Sequence, residues 1–76
     1  MGHRPEIEPG TPAEYHIVRH GQHWDVERNA AFIGISAENA GNAIEEAIRL
    51  AVGDHHRGMD ATVCIEEAMG CRHLWP

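Results

Sequence analysis

The sequence predicts an α+β fold, with a three-stranded antiparallel meander, one amphipathic helix on one sheet face, and then one or two further strands. Three observations carry that expectation. Tyr15 to Arg28 alternates in character on either side of Gly21-Gln22, as two strands joined by a tight turn do. Ala40, Ala43, Ile44, Ala47, Ile48 and Ala51 recur at three- and four-residue spacing. From Ala61 to Glu66 the chain returns to a period of two.

Met1 to Ala13 holds three of the four prolines and no apolar period, so residues 1–13 read as a disordered tail and residues 14–76 as a single small domain. About sixty residues make one sheet and one helix, near the lower limit for a self-sufficient core. Gly21 at the first central position of a two-residue loop suits a type II′ turn, which needs positive φ there. That turn places His20 opposite His23, Val18 opposite Asp25 and His16 opposite Glu27 on one face. Arg19 then meets Trp24, Ile17 meets Val26 and Tyr15 meets Arg28 on the other. Asn29-Ala30-Ala31 is expected to turn the chain into a short third strand from Phe32 to Ile35, with Gly34 weakening it or marking a bulge. Phe32, the only phenylalanine, is assigned to the core with Ile17, Trp24, Val26, Ile44, Ala47, Ile48, Val63 and Ile65.

Asn39 is the expected helix cap, with Ser36 as the alternative, and Gly53 the expected stop. Glu45 and Arg49 stand in the favourable i,i+4 order. Asp54 to Asp60 then reads as a polar loop. Ala61 to Glu66 is the fourth strand, and Cys71 to Trp75 returns as a fifth after a turn at Glu67 to Gly70. If the fourth strand lies parallel to the first, the intervening helix makes an ordinary crossover, and the sheet order is 3-2-1-4-5.

The run Tyr15-His16-Ile17-Val18-x-His20-Gly21-x-x-Trp24-x-Val26-x-Arg28 resembles the opening hairpin of a small bacterial family, domain of unknown function 2188. The alanine-rich Ala43-Ile44-Glu45-Glu46-Ala47 resembles the helix that follows it there. The resemblance covers Tyr15 to Ile65. It implies the same hairpin, helix and strand but lends no catalytic residues, and Cys64, Cys71 and the Leu74-Trp75-Pro76 ending depart from the pattern.

Twelve acidic residues against six arginines give a net charge of −6, which repels phosphate backbones and disfavours nucleic acid as a partner. No apolar run is long enough for a membrane span and no signal peptide is apparent, so a cytoplasmic location is expected, and with it two reduced cysteines. No phosphate loop, nucleophile elbow or metalloprotease motif is present, so neither enzyme activity nor a cofactor is expected. Two side-chain groups have metal-ligand chemistry: His20, His23 and Asp25 at the hairpin tip, and Cys64, Cys71 and His73 on the last two strands. In the expected register Cys64 faces His73 with Cys71 diagonal, and a bridge between the cysteines needs a slip of two. The sheet face away from the helix is expected to show Val18, Thr62 and Trp75 as an interaction face. The expected function is a non-catalytic protein-interaction or regulatory module that pairs with itself or with another protein. A metal-binding protein is the alternative.

Overall fold

The computed structural model describes residues 12–76. The elements are β1 (Ala13–His20), β2 (His23–Arg28), β3 (Ala31–Ala37), α1 (Ala40–His56), β4 (Ala61–Glu67) and β5 (Gly70–Trp75). They form one five-stranded sheet in the expected order, β3-β2-β1-β4-β5. The β1–β2 register matches the sequence reading at each of its six pairs, from Tyr15 with Arg28 to His20 with His23. Gly21 takes the positive φ (62°) that the turn requires. β4 runs parallel to β1, with Tyr15 beside Val63 and His16 beside Cys64. Among the described residues no helix is long and apolar enough to cross a membrane.

Alternation along the strands sends Tyr15, Ile17, Val26, Val63 and Ile65 to the side that α1 covers, where all are buried. Ala43, Ala47 and Ala51 form the buried line of the helix. Their small side chains let the helix axis approach the sheet, while Trp24, Ile44 and Ile48 pack at the margin of the core. Asn39 caps the helix as expected, its Oδ1 accepting from the Asn42 amide at 2.8 Å. Arg49 pairs with Glu46 at 3.0 Å rather than with Glu45, an exposed pair of small energetic consequence.

Four expectations are corrected. Ala13 is not tail: it opens β1, is fully buried, pairs with Ala61, and its amide donates to the Asp60 carbonyl at 2.8 Å. Pro12 is exposed and outside any strand, and residues 1–11 lie outside the described ones. Phe32 is not core, being 57 % exposed. The turn is tighter than expected, with Asn29 and Ala30 both at positive φ, so β3 starts at Ala31. The β2–β3 register then shifts between Val26 and Glu27, which leaves Ile33 and Gly34 as extra residues on β3. Phe32 therefore stands opposite Glu27, on the face away from the helix.

Gly53 does not stop the helix, which continues to His56. Gly58, at φ 86°, is the residue in the left-handed conformation. The Met59 amide donates to the Asp54 carbonyl and the Gly58 amide to that of His55, the two bonds of a Schellman motif. The extra turn is held by Asp54, which is 2 % exposed. Its carboxylate accepts from the Tyr15 hydroxyl at 2.6 Å and from the Arg57 guanidinium, with Arg28 at 3.8 Å.

The fourth correction concerns Trp75. The β4–β5 register shifts between Val63 and Cys64, so that Leu74 is bulged and Trp75 pairs with Val63. Val63 faces the helix, and Trp75 accordingly sets its ring edge-on to His55 in the last turn of α1.

Candidate functional site

One helix covers one face of the sheet, and the register fixes what the other face carries. His16 is near its centre. Glu27 lies opposite it on β2, with Phe32 beyond on β3. Cys64 lies beside it on β4, with His73 beyond on β5. Asp25 and Val18 form the adjacent row, where Ser36 donates to Asp25 Oδ1 at 2.7 Å. Glu66 pairs with Cys71 on the same face.

The charges are partitioned between the two faces. Glu14, Asp25, Glu27 and Glu66 are on the open side, by their pairing with Thr62, Val18, His16 and Cys71. Arg28 and Arg72 pair with Tyr15 and Ile65, both buried beneath the helix. Arg19 lies over the Trp24 ring, and Arg49 and Arg57 belong to the helix and its cap. Among the described residues, no arginine stands on the open face. Glu14, Glu27 and Glu66 surround His16 in a shallow hollow of about 580 Å³.

Cys64 and Cys71 are joined by a disulfide, which corrects the expectation of reduced thiols. The register has not slipped: Cys64 still faces His73, and the bridge runs along the diagonal with Cα atoms 5.9 Å apart. That separation is ordinary for a bridge. The neighbouring irregularity at Val63/Cys64 supplies the means, because a bulge increases local twist and twist draws one diagonal of a hairpin together.

The ligand-type side chains therefore group differently from the sequence reading. The ligand atoms of His16, Cys64 and Cys71 lie within 4.8 Å of one another, and they are the sole such trio among the described residues. His16 Nδ1 is 3.9 Å from Cys71 Sγ and 3.4 Å from Glu66 Oε2. His73, expected in this cluster, faces Cys64 from the edge strand and is not part of it. At the hairpin tip His20 Nε2 stands 3.9 Å from Asp25 Oδ2, but His20, His23 and Asp25 do not converge as a trio. Of the expected interaction face, Val18 and Thr62 are on the open side and Trp75 is not. Thr62 and Trp75 meet at a groove of about 520 Å³ at the end of the sheet, which His55 and Asp60 also line.

Comparison with protein-family models, curated proteins and solved structures gives no match.

His16 belonged to neither ligand group read from the sequence, because the hairpin register alone sets it opposite Glu27 and not beside a cysteine. The signal was present in the parallel pairing of β1 with β4, which the expected sheet order already implied and which puts His16 beside Cys64. The Asp54 cluster was missed as well. Its partners come from β1, β2 and the helix cap, so no local spacing announces it.

Proposed function

We propose that this chain is a non-catalytic protein-interaction module whose open sheet face receives a basic surface of another protein. The observation that supports the reading is the segregation of charge: four carboxylates on that face and five arginines placed elsewhere. A one-signed face attracts the opposite sign and repels its own. It disfavours nucleic acid more sharply than the net charge does. It also disfavours a face-to-face homodimer, which would set Glu14, Asp25, Glu27 and Glu66 against their own copies. Val18 and the exposed Phe32 give the partner apolar contact within the charged field.

The test is an NMR titration of the full chain with an arginine- and lysine-rich peptide, at low and at physiological salt. Shifts concentrated at His16, Glu27, Thr62 and Glu66, weakening with salt, are the expected result. Equal shifts at Glu38, before the helix, and at the helix carboxylates Glu45 and Glu46 would mean non-specific attraction and would remove the proposal.

A further inference from the structure

The geometry points to a metal site that the disulfide keeps closed: once Cys64 and Cys71 are reduced, their thiolates and His16 Nδ1 bind one Zn²⁺. The inference stands apart from the interaction reading and rests on the one trio of ligand atoms that, among the described residues, converges within 4.8 Å.

The donor set suits the ion. Two thiolates and an imidazole are borderline-soft ligands of the type zinc takes, and with Zn–S near 2.3 Å and Zn–N near 2.0–2.1 Å a tetrahedral site holds sulfur and nitrogen about 3.6 Å apart. Cys71 Sγ and His16 Nδ1 are already 3.9 Å apart. The three residues come from β1, β4 and β5, adjacent strands of one sheet, so their backbones are positioned before any ion arrives. Only the two sulfurs have to move, by side-chain rotation after their bond is cut. His16 also lines the hollow that Glu14, Glu27 and Glu66 share, and their carboxylates attract a cation toward it.

The chemistry balances with a dithiol as reductant. Its thiolate attacks one cysteine sulfur and the S–S bond breaks. Its second thiol then resolves the mixed disulfide, so that two electrons pass to the protein and the reductant leaves as a disulfide. Two protons end on Cys64 and Cys71, and Zn²⁺ displaces both on binding. The same two sulfurs cannot be bonded to each other and serve as separate thiolate ligands. Oxidation therefore expels the metal and reduction admits it.

The experiment uses the full chain and Co²⁺ as a spectroscopic stand-in for Zn²⁺, with a phosphine reductant that carries no thiol. The reduced chain is expected to bind one Co²⁺ with thiolate-to-metal charge-transfer bands that Zn²⁺ abolishes, and the oxidised chain to show none. Loss of an outer-shell partner costs roughly 10–100-fold in affinity, and loss of a ligand costs at least as much. His16→Ala should thus weaken binding at least about tenfold, whereas His73→Ala leaves it unchanged. A charge-transfer band in the oxidised chain, its absence in the reduced one, or dependence on His73 instead of His16 overturns the proposal. Circular dichroism of the same samples covers loss of fold: a reduced chain that unfolds and is not refolded by Zn²⁺ also overturns it.

Discussion

Asp54 stands in the last turn of α1, where a carboxylate faces the negative end of the helix dipole, an unfavourable contact of about 0.3–1 kcal/mol. Its hydrogen bonds outweigh that. A bond to a charged group contributes about 1.5–3 kcal/mol, and Asp54 accepts one from Tyr15 and one from Arg57. Arg57 is well exposed, so its share is discounted, and the buried bond to Tyr15 carries more of the effect. Asp54→Ala should cost about 2–3 kcal/mol by urea denaturation, and a loss under about 0.5 would mean that the cluster holds nothing. Tyr15 offers a second check through pH. Burial raises its pKa above 10.0 and the bond to Asp54 raises it further, while the bond from Arg28 opposes. The folded protein thus holds the phenolic proton more tightly than the unfolded chain does. This contribution is fully present below about pH 10 and is lost as pH rises through the higher folded value. Tyr15→Phe should flatten that alkaline loss. Tyr15 opposite Arg28 was legible in the sequence because hairpin register is local. Asp54 was not, because its partners are brought to it only by the finished fold.

At the scale of elements, the helix end separates two glycines that the sequence does not distinguish. Gly53 lies within α1, and a Cβ there would meet only the far end of the Arg57 side chain at 3.7 Å. Gly53→Ala should therefore stabilise by about 0.5–1 kcal/mol, whereas Gly58→Ala, at φ 86°, should destabilise by about 1. Thermal melts of the two variants moving in the same direction would contradict the assigned helix end. The stripe from Ala40 to Ala51 and the Asn39 cap were readable from spacing alone. The stopping point was not, since a glycine followed by Asp-His-His looks like a loop until Asp54 is known to be buried. The two bulges are a similar case. Gly34 hinted at the first, but nothing near Leu74 marked the second, which turned Trp75 away from the open face. The disulfide closes a loop of only seven residues' separation, for which chain entropy gives about 2–2.5 kcal/mol. Cys71→Ser should lose about that much and remain cooperative in urea, because β5 is an edge strand.

At the scale of the whole molecule the core is narrow: among the described residues, Ile17, Val26 and Val63 are its largest fully buried side chains. Ile17→Ala removes the residue paired with Val26 on one side and Ile65 on the other, and should cost about 2–5 kcal/mol. A domain this small has little more than that to lose, so the variant should be largely unfolded at 37 °C by circular dichroism. Fold class, strand order and the β1–β2 register followed from periodicity and one turn. Val18 and Thr62 were legible on the open face in the same way, but Trp75 was not, because a one-residue shift at an edge reverses which face a side chain occupies. The charge segregation also bears on assembly. Sedimentation at tens of micromolar and neutral pH should show a monomer, and a dimer lost on Glu27→Lys would instead place the open face between copies.

The parallel pairing of Ala13 with Ala61 and Ile17 with Ile65 has a consequence for biosynthesis. On a ribosome adding roughly 5–20 residues per second, β1 leaves the tunnel about 2–10 s before the strand that will flank it. During that interval the meander has β1 as a bare edge, with its unpaired amides and carbonyls open to a neighbouring nascent chain. The strand at the middle of the finished sheet is thus, for those seconds, an edge strand of the newborn protein.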